Sequence, residues 1–183
     1  MTIYLHHGDL PKNLDLGDLV AVDTETMGLR MHRDRLCAVQ LSAGNGDAHV
    51  VKIPKIDICA PNLTKLLSQQ KTVKLFHFAR FDVGVLSFCL HCECRPVLCT
   101  KIASRLVRTF TDKHGLKDLC KELLNVDISK QQQSSDWGAE ELSSAQIEYA
   151  ASDVLYLHAI WEKLKEMLLR EGRMELAQAI YDF

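Results

Sequence analysis

The feature that most restricts the fold lies in the last quarter of the chain. Ala150, Val154, Leu157, Trp161, Leu164 and Leu168 recur there at intervals of 4, 3, 4, 3 and 4 residues. That spacing keeps all six on one side of a long α-helix, so the helix has a core to face. Ser143 and Gln146 fit a capping box at its start, with Leu142 and Ile147 in the two staple positions. Gly172 breaks the pattern before a short amphipathic tail. The first half of the chain reads instead as strands. Residues 19–22 form a short apolar run, and residues 36–42 and 48–53 flank Gly44-Asn-Gly-Asp47, a hairpin signal. Residues 72–77 are β-branched and aromatic, and residues 95–98 supply a fifth short strand. Between them, Pro61 opens a short helix, and a helix over 79–90 sets Ala79, Val83, Leu86 and Leu90 on one side. Leu116, Leu119, Cys120, Leu123 and Leu124 make a further helical stripe that Asn125 ends. The order predicts an α/β domain with a five-stranded mixed sheet flanked by helices and a helical C-terminal part. Without repeats or a Pro/Gly-rich linker, residues 1–183 read as a single domain.

Composition excludes more than it identifies. Of 183 residues, 47% are hydrophobic and 25% charged, too apolar for a disordered tail. Net charge is −2, which argues against a protein that coats long nucleic acid. No run approaches the ~18 apolar residues of a bilayer helix. The N-terminus lacks the basic flank and apolar run of a signal peptide, so the expectation is a cytoplasmic protein without a membrane role. Seven cysteines, an odd number, read as thiols rather than a disulfide framework.

Carboxylates appear where a core should continue. Asp23 and Glu25 follow the apolar run at 19–22 with no turn residue between, and in extended chain they point to the same face. Taken alone, they read as a strand running out into a solvated acidic loop. Asp82 sits next to the apolar stripe of the helix at 79–90, and alone reads as an acid favoured near a helix start. Tyr149 and Asp153 lie four residues apart on the last long helix, beside its seam. Brought together, four carboxylates and a phenol repel one another unless a cation lies among them. Hard oxygen ligands of this kind suit Mg²⁺ or Mn²⁺, and paired divalent ions are a standard device for splitting a phosphodiester.

Asp23-Thr-Glu25, His77-Phe-Ala-Arg-Phe-Asp82 and Tyr149-Ala-Ala-Ser-Asp153 resemble, in order and spacing, the three motifs of the DEDDy 3′→5′ exonucleases. Residues 131–137, Gln-Gln-Gln-Ser-Ser-Asp-Trp, are similar to the ribonuclease D branch. The resemblance implies a ribonuclease H-like fold. It also implies a two-metal site of Asp23, Glu25, Asp82 and Asp153, with Tyr149 orienting the attacking water. The expectation is a chain without the added C-terminal helical domains of ribonuclease D. It looks most like the small single-domain subgroup typified by nano-RNase C, as residues 100–108 and 127–137 suggest. That subgroup acts on very short single-stranded RNA, dinucleotides above all, and forms homo-oligomers, octameric rings among them. Nucleoside 5′-monophosphates are then the products. Trimming of longer RNA, exonucleolysis of DNA and a non-catalytic nucleic-acid-binding scaffold are the alternatives.

Around these motifs, Thr26, Met27, Gly28 and Leu29 follow the first acids. Gly28 lets backbone approach a ligand. Leu29 matches an apolar wedge between bases, or else is a turn residue tucked into the core. His77 and Phe81 are candidates to contact a nucleotide, although a histidine at a strand end is more often structural. Gln133, Ser134 and Ser135 are candidates to hold a substrate 5′-phosphate. Arg30, Arg33 and Arg35 either guide phosphates or decorate a solvated loop. Cys89, His91, Cys92, Cys94 and Cys99 lack the paired spacing of a structural zinc site and read as free thiols.

Overall fold

The turn at 44–47 joins two antiparallel strands, and the sheet grows outward from that pair. The computed structural model describes residues 1–56, 58–129 and 131–181. Strand β1 spans Ile3–His7, β2 Leu19–Thr26, β3 Leu36–Ser42, β4 Ala48–Lys52, β5 Val73–Phe76 and β6 Val97–Cys99. β2, β3 and β4 pair antiparallel, whereas β5 and β6 continue the sheet beside β2 in parallel. β1 pairs parallel to β4, giving the order β1-β4-β3-β2-β5-β6. The sheet is mixed, as the sequence predicts, but has six strands among the described residues rather than five. The strand missed is the β1 edge. It shows no clean alternation, with Tyr4 and Leu5 both exposed, and its partner lies some 45 residues downstream.

Among the described residues, seven helices surround the sheet: α1 (Pro61–Ser68), α2 (Ala79–Leu90), α3 (Thr100–Val107), α4 (Leu116–Leu124), α5 (Ser144–Leu155), α6 (Leu157–Arg170) and α7 (Met174–Tyr181). β3 is buried along its whole length, because both faces are covered. On one face Ala38 and Val50 pack with Trp137, Leu142 and Ala150. On the other, Val39, Leu41 and Val51 join Leu63, Leu67 and Leu86. The expected capping box opens α5: the Ser143 hydroxyl accepts from Gln146 N at 3.3 Å, and Gln146 Oε1 accepts from Ser143 N at 2.9 Å. All six seam residues are buried. The single helix expected for them is divided at Tyr156 (φ −100°, ψ −6°) into α5 and α6. Ser152, whose hydroxyl donates to Tyr149 O at 2.7 Å, adds a back-bond of the kind that bends helices. Asn125 closes α4 in the left-handed conformation, as its position predicts.

Two departures bear on the site. The buried face of α2 is Ala79, Asp82, Val85, Leu86 and Leu90, so Asp82 points inward while Val83, expected in the seam, is only half-buried. α3 was not evident from sequence, since it follows β6 directly and opens on Thr100 without a capping side chain. Among the described residues, no helix is long and apolar enough to cross a membrane.

Candidate active site

β2 ends in the two acids, and the pleat puts Asp23 and Glu25 on one face, opposite Gln40 and Ala38 of β3. The pairing shifts register between Glu25 and Thr26, so the chain leaves the sheet just past the acids. α5 packs against β2, β3 and β4 and brings Tyr149 and Asp153 to this face. One carboxylate oxygen each from Asp23, Glu25 and Asp153 lies within 4.8 Å of the others. Thr24, between the two acids, faces the opposite way, and its hydroxyl donates to Asp82 Oδ1 at 2.6 Å. Asp82 is 5% exposed and stands beside the group of three rather than within it.

Burial and mutual repulsion set the electrostatics. The Asp23 carboxyl is held well above the usual range, first by burial and then by the charges of Asp82, Asp153 and Glu25. Glu25 is pushed up to about 9 by burial, then by Asp153 and Asp82. Burial also raises Asp82, to about 7, against the hydrogen bond from Thr24. The Tyr149 phenol moves up as well, through burial and then the charges of Asp153, Glu25 and Asp23. A cluster that retains protons this strongly is one that a divalent cation can discharge. Its all-oxygen donor set fits Mg²⁺ or Mn²⁺.

The acids floor a cleft of about 630 Å³. Fourteen of the residues singled out in the sequence line it: the four acids and Tyr149, then Thr26, Met27, Gly28, Leu29, His77, Phe81, Gln133, Ser134 and Ser135, whereas Arg30, Arg33 and Arg35 do not. Leu29 is 83% exposed, which removes the reading of a core leucine. It stands on a tied loop. Thr26 Oγ1 donates to Gly28 O at 2.5 Å, Met27 N to Arg35 O at 3.0 Å, and Asp34 N to Arg30 O at 2.7 Å. Gly28 has a second reason to be glycine besides its place in the cleft: a Cβ there would collide with the Asp34 carboxylate. Arg33 binds that carboxylate through Nε and a second guanidinium nitrogen (2.6 and 2.8 Å), holding it at about 2. His77 Nδ1 lies 2.9 Å from Thr100 Oγ1, so it has a structural bond as well as a place in the cleft.

The opposite wall, residues 131–139, is pinned to the sheet and to α5. Arg35 donates to Gly138 O (3.2 Å), Lys52 Nζ to Ala139 O (2.6 Å), and Gln146 Nε2 to Ser135 Oγ (3.1 Å) and Asp136 O (3.0 Å). A Cβ on Gly138 would strike the Met27 sulfur, so the two loops touch across the rim. Arg35 is thus a structural clamp rather than a phosphate guide. The Ser135 hydroxyl already donates to Gln132 O at 2.8 Å, whereas Gln133 and Ser134 are exposed.

Sequence reasoning missed Phe78, Lys101, Lys117 and Trp137 as cleft residues. Trp137 packs against Tyr149 with ring centroids 6.0 Å apart, and its place just before the motif helix was the available signal. The cysteine stretch takes no part. Cys92, Cys94 and Cys99 are buried in the main core, and burial lifts Cys94 to about 12, a thiol ill-suited to binding metal.

Fold and site together define a class. The 3′-5′ exonuclease family profile matches residues 8–169, and the chain belongs to that family. Within it the chain is ribonuclease D-like: ribonuclease D of Gluconacetobacter diazotrophicus is 39% identical over 158 residues, covering 85% of this chain and 39% of that one. The chain therefore spans about two fifths of the length of such curated ribonuclease D relatives. Among solved structures, Brucella melitensis NrnC, a nano-RNase C, superposes with a TM-score of 0.96 at 57% identity, covering 100% of this chain and 89% of that one. The same protein bound to pGG gives 0.96 at 56% identity, with the same coverage. Escherichia coli RNase D gives 0.78 at 25% identity, over 88% of this chain and 42% of that one, in keeping with the ribonuclease H-like fold.

Proposed function

We propose that this chain is a 3′→5′ exoribonuclease that hydrolyses very short RNAs, dinucleotides foremost, to nucleoside 5′-monophosphates. The observation that carries the reading is the joining, in one cleft, of the acidic floor with the exposed Leu29 and the Gln133–Ser134 wall. About 630 Å³ is the scale of a small-ligand pocket, not of an extended groove that tracks a long strand. Similarity to an NrnC structure bound to pGG supports the same substrate class.

Asp23, Glu25, Asp82 and Asp153 would hold two divalent ions, Mg²⁺ or Mn²⁺. Such a pair supplies Lewis acidity to the attacking water and to the leaving oxygen. Tyr149, held protonated by its surroundings, serves as a neutral hydroxyl that orients the nucleophile rather than as a base. Thr24 fixes Asp82 so that its carboxylate keeps one orientation. Leu29 lies against a base without reading it, and Gln133 with Ser134 caps the 5′ end. Exposed Leu169, Leu176 and Ile180 on α6 and α7 provide an apolar face for self-association into a ring, which the mass in solution tests.

The test compares turnover of 5′-phosphorylated dinucleotides, heptamers and duplex DNA. Fastest release of mononucleotides from the dinucleotide is expected. Faster heptamer trimming or DNA degradation would replace this reading with its ribonuclease D-like or DNA-directed alternative.

A further inference from the structure

Phe78 and Lys101 stand together at the cleft, and neither is explained by folding. β5 and β6 pair in parallel with Phe76 opposite Cys99. The pairing carries on past the strand ends as a side-chain ladder: His77 Nδ1 meets Thr100 Oγ1 at 2.9 Å, and one residue further Lys101 Nζ lies 4.3 Å from the centre of the Phe78 ring. The ladder lies at the C-terminal ends of parallel strands, where open α/β sheets place their ligands.

Both residues cost stability where they are. Phe78 has φ 108° and ψ 44°, a left-handed conformation that a bulky side chain adopts only under strain. A glycine would relieve it. An aromatic ring is kept instead, with 52% of its surface open and lining the cleft. Lys101 lies in the first turn of α3, where a cation faces the positive end of the helix dipole. It forms none of the ion pairs found among the described residues. An open ring beside an unneutralised ammonium, both facing a cleft with an acidic floor, matches the two halves of a nucleotide.

We propose that Phe78 is a stacking shelf for a nucleobase of the substrate and that Lys101, held over its ring, takes a phosphate oxygen of the same nucleotide. The proposal rests on the exonuclease reading and sharpens it: recognition follows the area of the base's π-face and favours purines without reading base edges.

The test measures KM, kcat and Tm for the wild type, Phe78→Gly, Phe78→Trp and Lys101→Met, using 5′-phosphorylated diguanosine and diuridine. Phe78→Gly is expected to raise KM for diguanosine about 5- to 100-fold, the range for loss of one base–aromatic stack, and to raise it less for diuridine. Its kcat stays within about twofold, and Tm is unchanged or higher because the strain is gone. Phe78→Trp restores the purine KM, and Lys101→Met raises both KM values alike. Unchanged purine KM in Phe78→Gly, or a fallen Tm with equal loss on both substrates, overturns the shelf while leaving the exonuclease reading intact. A wild type that turns over neither dinucleotide overturns both.

Discussion

The floor and the rim of the cleft are built on different terms. Every acid of the floor sits on a regular element: Asp23 and Glu25 on β2, Asp82 on the buried face of α2, Asp153 on α5. Their positions are set by the sheet register and by cores that hold Ala38, Val39 and Ala150 with no exposed surface. The rim is loop. Leu29 rides on residues 26–35, tied by a few bonds within the loop, and Gln133 and Ser134 on residues 131–139, held by hydrogen bonds from Arg35, Lys52 and Gln146. On the proposed reading, chemistry falls to the rigid frame and recognition to segments whose placement hangs on few polar contacts. Lesions in the floor should abolish kcat, whereas lesions in the rim should move KM.

The largest effect is expected at the centre of the floor. Asp23→Asn should lower dinucleotide turnover by about 10³-fold or more, as expected for loss of a carboxylate that would hold the metal ions. In chelator the same variant should melt higher than the wild type, because one member of a repelling cluster is gone. A variant that stays active and melts lower would break the contrast. Tyr149→Phe removes only a hydroxyl from the floor. It should cut kcat by about 10²-fold with little change in KM.

The floor also predicts an unusual response to pH. In the metal-free chain Glu25 keeps its proton to about 9 and Asp82 to about 7, against ordinary values of 4.5 and 3.8. The folded state thus binds more protons than the unfolded state above pH 4, and stability falls as pH rises from about 4 to about 9. Thermal melts in chelator should drift downward across that window, and Mn²⁺ should flatten the drift. A metal-free Tm that rises with pH would contradict the coupling of these acids. The smallest effect belongs to the rim: Arg35→Met loses the bonds to the Leu36, Ile53 and Gly138 carbonyls. It should raise KM by about 2- to 10-fold, on the scale of one or two hydrogen bonds, with kcat within about twofold.

The same division explains what could be read from the sequence. The floor was legible because its acids sit at fixed spacing on elements with strong signals, such as the capped α5 and the apolar run leading into Asp23. Asp82 was found, but not its buried orientation, because Asp82 and Val83 compete for the same stripe and only packing decides. β1 was missed because a short edge strand with two histidines and a distant parallel partner carries no local pattern. Gly28 was noticed for its approach to a ligand, whereas its fit to the Asp34 carboxylate, six residues on, is visible only in the folded loop. Phe78 and Lys101 escaped because their contact exists only once β5 and β6 pair in register.

The central claim is that oxygens from Asp23, Glu25, Asp82 and Asp153 gather paired divalent cations in one pocket. Calorimetric titration of the chelator-treated chain with Mn²⁺, at a pH where proton release can be followed, tests it directly. The account predicts two ions bound per chain with net proton release, and loss of that binding in Asp23→Asn. Mn²⁺ that fails to bind, or binds equally well to the variant, would contradict it.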